Sequence, residues 1–288
     1  MTITAPHVRA LAAIAAAMLA APALAQDEAA APPAEIITSD RNSLTLGIGG
    51  AYRPTYEGSD DYTFGPIGAV FGKVAGFSFA TRGTGLNLDL IRDADGAPFS
   101  LEFGPVVYLR LDRTGGIKDP QVKALGEIDT AIELGASAGI AKNGVLHQYD
   151  SLGVRLQYQK DVSDTHDSSI LSPSIEYATP LSTRTYAQLS FSAERVGDGY
   201  ARTYFSVTPA GALASGLPAY NAEGGWKSWR TNLFLAQTLT GDLRRPRLSA
   251  FSVLSYGQMI GDFKRSPIVS VAGDKDQFFA LLGLSYTF

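Results

Sequence analysis

Glu57, Asp60 and Asp61, set around Gly58 and Ser59, form a tight group of carboxylate oxygens of the kind that hard cations take as ligands. Their spacing departs from the Ca²⁺-loop pattern, and Gly58-Ser59 reads instead as a turn kept soluble by its acids. His147 and Ser151 are the candidates for a base and a nucleophile. On a strand they share a face but lie roughly 13 Å apart, whereas a working pair needs about 3 Å. His147 therefore reads as a polar-face residue near a strand end, and His166, in the polar stretch 161–169, as a solvated turn residue. The chain has no cysteine, which removes thiol catalysis, disulfides and cysteine-held metals. The expectation is no catalytic, cofactor or metal site, and no enzyme.

A larger set of charges remains: Asp89, Glu102, Arg110, Asp129, Glu133, Arg155, Arg184, Glu194 and Arg230. Each falls opposite an apolar face. Ile128, Thr130, Ile132, Leu134, Ala136, Ala138 and Ile140 alternate with Asp129, Ala131, Glu133, Gly135, Ser137 and Gly139. Phe99, Leu101, Phe103, Val107 and Leu109 oppose Ser100, Glu102, Gly104, Tyr108 and Arg110. A period of two is the strand signal. One face suits lipid and the other a polar interior, where charges must be paired or hydrated. Two readings stand: a water-filled lumen that selects solutes, or a salt-bridged plug of side chains.

The strands that must carry these charges are read at 43–53, 62–72, 76–90, 98–110, 128–141, 146–160, 168–178, 183–194, 200–208, 226–240, 246–257 and 277–288. The fold class is all-β, an antiparallel transmembrane β-barrel of twelve strands, with ten or fourteen as alternatives. A soluble sandwich also alternates. Strand length, tyrosines near strand ends and the closing run Leu282, Leu284, Tyr286 and Phe288 favour the barrel. That run is similar to the insertion signal read by the barrel assembly machinery. By this count 111–126 is a long segment on the periplasmic side, where turns are ordinarily short.

Residues 1–25 read as a secretory signal peptide, with an apolar alanine-rich run and Ala23-Leu24-Ala25 before the cut. Residues 26–42 read as a flexible periplasmic leader, and 43–288 as the barrel. The formal net charge of -4 and scattered basic residues offer nothing to nucleic acid. The expected surroundings are outer-membrane lipids, and the expected place is the cell outer membrane.

Gly47-x-Gly49-x-x-Tyr52-x-Pro54-x-Tyr56-Glu57-Gly58-Ser59-Asp60-Asp61 resembles the opening signature of the MltA-interacting protein (MipA/OmpV) family. Gly83-x-Gly85-Leu86-Asn87-Leu88 is similar to its second block. So are Gly216-Leu217-Pro218-x-Tyr220-x-Ala222-x-Gly224-Gly225-Trp226 and the ending with Gly261-Asp262, Ser266-Pro267-Ile268-Val269, Gly273 and Gln277. The resemblance implies an outer-membrane barrel. For the namesake member it implies a scaffold joining a murein lytic transglycosylase to a peptidoglycan synthase, with no catalytic residues to carry over.

Three functions follow as expectations. The first is a non-enzymatic scaffold whose periplasmic surfaces are 111–126 and the leader. The alternative is a porin-like channel for small solutes through the charged lumen. The weakest is a lipid-modifying enzyme, for which His147 is the one nameable residue.

Overall fold

The computed structural model describes residues 42–94 and 96–288. The signal-peptide reading of 1–25 and nearly all of the leader 26–42 lie outside the described residues. Twelve strands close into one antiparallel barrel in which β1 pairs with both β2 and β12. They are β1 Ser43–Pro54, β2 Tyr62–Val74, β3 Phe77–Arg82, β4 Gly85–Asp89, β5 Phe99–Arg110, β6 Ala131–Asn143, β7 Ser151–Asp161, β8 Ser169–Pro180, β9 Thr185–Val196, β10 Gly225–Thr238, β11 Leu248–Met259 and β12 Asp276–Thr287. Every neighbour along the chain is a neighbour in the sheet.

Burial is inverted relative to a water-soluble protein. Ile48 and Leu282 are 68% and 69% exposed, while Glu133, Ser137 and Asn232 are 0%, 1% and 4% exposed. A sandwich would bury its apolar face; here the apolar face is the outside, as a lipid-facing wall requires. Aromatic rings meet along both rims: Tyr52 stacks on Tyr62 and Phe191 on Trp229 at one end, and Tyr286 meets Phe288 edge-on at the other. Leu282, Leu284, Tyr286 and Phe288 all lie on the outer face of β12 or at its end.

The count of twelve agrees with the sequence reading, but two of its members differ. Residues 76–90 are not one strand. Gly83, at φ 56°, and Thr84 turn the chain so that Arg82 pairs with Gly85, making a short hairpin. Residues 200–208 are not a strand either: helix α2, Asp198–Phe205, buries Tyr200, Ala201, Tyr204 and Phe205, a spacing with the helical period. The extra hairpin strand reverses the direction of everything up to β9. Residues 111–126 consequently sit at the same end as 55–61, 197–224 and 260–275. Long loops mark the outer end of such barrels and short turns the periplasmic end, so 111–126 is extracellular, contrary to the expectation.

Inside, the wall divides in two. Phe234, Phe251, Val253, Phe279 and Leu281 pack with Ala51 into an apolar half. Phe251 crosses from β11 against Gly283, its partner on β12, and Gly47 on β1; a Cβ on Gly283 would fall 2.6 Å from the ring. Gly47 of the signature and Gly283 thus make room for a ring in the lumen. The facing half, on β3 to β9, carries most of the charges, and the upper end of β10 adds Lys227 and Arg230.

Candidate functional site

At the outer end the loops do not hang free. They fold over the barrel as a cap built from α2, the short helices α1 (Pro120–Ala124), α3 (Pro209–Ser215) and α4 (Pro267–Ser270), and the segment 55–61. Tyr56, Val122, Val207, Leu217 and Ile268 form its apolar centre, and Tyr200, Tyr204, Phe205, Phe263 and Val269 form a second. Most of the signature residues lie here. The Tyr56 hydroxyl donates to the Ala272 carbonyl, Ser266 caps α4 and donates to the Phe205 carbonyl at 2.6 Å, and Tyr220 donates to the Asp262 carbonyl at 3.0 Å. Pro267 opens α4 and is buried, Pro218 flanks the buried Leu217, and Ser59 shares a hydrogen bond with Thr55 at 2.9 Å. Asp60 stays exposed, Pro54 ends β1, Gly85 lies beneath the Tyr108 ring, and Gly225 and Trp226 open β10 with Trp226 half-exposed on the outside.

Beneath the cap sits an ionic cluster. Lys227 Nζ lies 2.8 Å from both Glu57 carboxylate oxygens and 2.9 Å from Glu194. Arg110 donates to Glu133 at 2.6 Å, to Glu57 at 3.2 Å and to the Tyr200 hydroxyl at 3.0 Å. Tyr200 in turn donates to Glu57 at 2.8 Å, and Gln159 to Glu133 at 2.6 Å. Glu57, expected as a solvated turn acid, is therefore the point where the cap is tied to the wall. His166 is not solvated: Asp161 gathers the backbone N–H groups of His166, Asp167 and Ser163 and folds that loop inward. Its Nε2 then lies 3.1 Å from Glu133, and its ring meets Tyr200 edge-on.

Burial alone would raise the pKa of the Glu57 carboxyl, but Lys227 and Arg110 overcome it and hold the group at about 2, against an ordinary 4.5. Asp112, whose carboxylate accepts the Glu57 N–H at 2.9 Å, is pushed the other way by burial and by the Glu57 charge, from 3.8 up to about 7. The signs are opposite. Glu57 stabilises the cap above about pH 4.5 and loses that effect as pH falls through 2; Asp112 stabilises it below about pH 3.8 and loses that effect as pH rises through 7. The cap is expected to resist protease best near pH 4.5 and less at pH 8, and Asp112→Asn should flatten the decline toward pH 8. Unchanged cleavage rates across that range would count against these assignments.

A second cluster lies deeper. Arg155 joins Glu102 at 2.8 Å and Glu176 at 2.6 Å, and Glu176 reaches Arg82 across the lumen at 3.5 Å. Asn87 donates to Gln157 at 3.2 Å beside it. Beside the upper cluster is a cavity of about 30 Å³, lined in part by Glu194, Arg230 and Tyr108. Below the lower cluster the lumen opens into a vestibule of about 1350 Å³ rimmed by the periplasmic turns.

Of the nine charges read from the sequence, Arg110, Glu133 and Glu194 meet in the upper cluster and Glu102 and Arg155 in the lower. Arg230 lines the small cavity, and Asp89 lines the vestibule while accepting the N–H groups of Ile91 and Phe103. Asp129 and Arg184 are not in the lumen. Asp129 is exposed two residues before β6 begins, and Arg184 is exposed in the turn before β9. Sequence reasoning missed Lys227, Tyr200, Asp112, Glu176 and Arg82. Lys227 and Glu176 fall on inward positions of strands it did place.

His147 is not paired with a serine among the described residues; its Nε2 hydrogen-bonds the Thr179 hydroxyl at 2.8 Å. Among the described residues, no group of three His, Cys, Asp or Glu could hold a metal.

The sequence pattern of the family described as MltA-interacting protein MipA matches residues 46–288. No curated protein matches the chain in sequence. Among solved structures, the NanC porin is 10% identical over 84% of this chain and 98% of its own, with a TM-score of 0.45. An outer-membrane channel from Pseudomonas putida F1 is 11% identical over 91% of this chain and 98% of its own, with a TM-score of 0.39. A Pseudomonas aeruginosa FadL homologue is 12% identical over 89% and 92%, with a TM-score of 0.36. Such loose likenesses carry no argument about what passes through or binds to this lumen. The match across the barrel and its cap is what identifies the chain: it is an outer-membrane β-barrel and belongs to the MltA-interacting protein MipA family.

Proposed function

We propose that the protein is a non-enzymatic, porin-like conduit for small polar solutes, closed at its outer end by the cap. The observation that carries this reading is the vestibule of about 1350 Å³, whose floor is the chain of charges Glu102, Arg155, Glu176 and Arg82. A barrel whose interior served only as filler has no need of that volume, and the apolar half shows that this lumen can be filled with side chains. Charges lining a water-accessible lumen act on passing solutes.

The scaffold reading, which joins a murein lytic transglycosylase to a peptidoglycan synthase, draws its support from the family description. Of its two expected surfaces, 111–126 is at the extracellular end, away from any murein partner, and the leader 26–42 lies almost wholly outside the described residues. Among the described residues, the periplasmic face consists of turns such as 90–98, 144–150 and 239–247. The conduit reading therefore stands first.

Planar-bilayer recording of the refolded barrel, with closure verified by heat-modifiable gel mobility, tests it. Because the cap covers the outer mouth, the expected current is infrequent and brief steps rather than a steady open level. Unbroken silence from a verified barrel would sink the conduit.

A further inference from the structure

The two ionic clusters use the same chemistry at different depths, and only one of them has room beside it. In the upper cluster Glu133 is fully buried and Lys227 nearly so, and the adjoining space is about 30 Å³. In the lower cluster every charged side chain keeps an exposed edge, from 13% for Arg82 to 23% for Glu102, and these edges face the vestibule. The order along the floor is acid, base, acid, base, with equal numbers of each.

A third kind of group completes the floor. Gln188, on β9, is 2% exposed and lines the same vestibule. Its Nε2 donates to Glu176 at 2.9 Å, while its amide oxygen is buried without a hydrogen-bond partner. A buried acceptor left unmade costs free energy, and a donor arriving from the vestibule would relieve it. Next to two carboxylates, the donor best suited is a cationic N–H group.

We propose that the vestibule floor is a recognition site for a small zwitterionic solute, an amino acid or short peptide with a free ammonium and a free carboxylate. The ammonium would be received by Glu102, Glu176 and the Gln188 amide oxygen. The carboxylate would pair with Arg82 and Arg155, whose planar guanidinium groups suit two-oxygen acceptors. The volume exceeds the roughly 300–1,000 Å³ of ordinary ligand pockets, so a tripeptide has room. A singly charged solute would leave one half of the alternating floor unanswered. The inference rests on the conduit reading only in that solutes must reach the lumen.

Calorimetric titration of the refolded full-length mature barrel with trialanine tests it. The series includes the N-acetyl form, the C-terminal amide and the doubly blocked peptide. Saturable binding of trialanine is expected, weakened about tenfold or more by blocking either end. Gln188→Leu should weaken trialanine and its amide while leaving the N-acetyl form unchanged. Absent binding of trialanine to the native barrel, equal affinity for the doubly blocked peptide, or indifference to Gln188→Leu would each overturn the site. The peptide series on the native protein decides the matter even if the variant fails to fold. Binding needs no current, so a barrel that binds trialanine yet never conducts overturns the conduit alone. A barrel that conducts but ignores trialanine overturns this site alone.

Discussion

Lys227→Met is expected to release the cap while leaving the barrel closed. Lys227 is the cation held equally by both oxygens of Glu57, and it also neutralises Glu194. Methionine keeps most of the side-chain volume but not the charge, so the effect reports the ion pair rather than a void. Glu57 would be left sharing Arg110 with Glu133 and Glu194. Removing one partner from a buried pair costs about 3–5 kcal/mol, because the other charge remains in a poor solvent. The barrel does not depend on this contact, since the strand ladders close without it. The loss should fall on loop 55–61 and on the loops packed against it. Limited proteolysis should cut 55–61, 111–130 and 197–224 in the variant and spare them in the native protein, with heat-modifiable mobility intact in both. Equal resistance would mean that the apolar centres alone hold the cap.

Gly273→Ala should produce a similar release by a steric route. A Cβ at this position would lie 1.9 Å from the Gly58 carbonyl oxygen and 2.9 Å from that of Ile268. Neither is the end of a flexible side chain. The Gly58 carbonyl accepts the Asp274 N–H at 2.9 Å, and Gly58 itself sits at φ 90°, where only glycine is unstrained. The loop 260–275 must therefore withdraw from 55–61, at an overpacking cost of about 1–3 kcal/mol. Gly225→Ala is the control, because a Cβ there meets nothing within 4 Å. Both glycines belong to the family signature, so equal effects at the two positions would show that the contact with Gly58 is not what matters. The measurement is the rate at which protease cleaves the cap of each variant.

The barrel was legible because lipid and lumen make opposite demands on successive residues. Runs such as Phe99–Arg110 and Ala131–Asn143 can satisfy both only as strands. The cap was less legible. Tyr200, Ala201, Tyr204 and Phe205 carry a helical spacing, but eight residues are too few to separate it from a short apolar strand. The hairpin at Gly83-Thr84 hides within what reads as one continuous strand, since β3 and β4 are short and joined by a two-residue turn. These two misreadings cancel in the count but invert the middle of the chain, which is why 111–126 fell on the wrong side. The site was legible only in pieces. Inward alternation marks Glu102, Glu133 and Arg155, but nothing local to Glu57 announces a lysine 170 positions away. Nor does alternation separate a charge inside the lumen from one just past a strand end, which is how Asp129 and Arg184 were included.

A charged lumen of the proposed kind should conduct when the cap is released. Single-channel current through Lys227→Met, beside the native barrel in the same bilayer and salt, tests it most directly. Brief native steps are expected to become long openings at the same or larger conductance. A variant whose cap is cleaved by protease, and which nonetheless passes no more current than the native barrel, would contradict it.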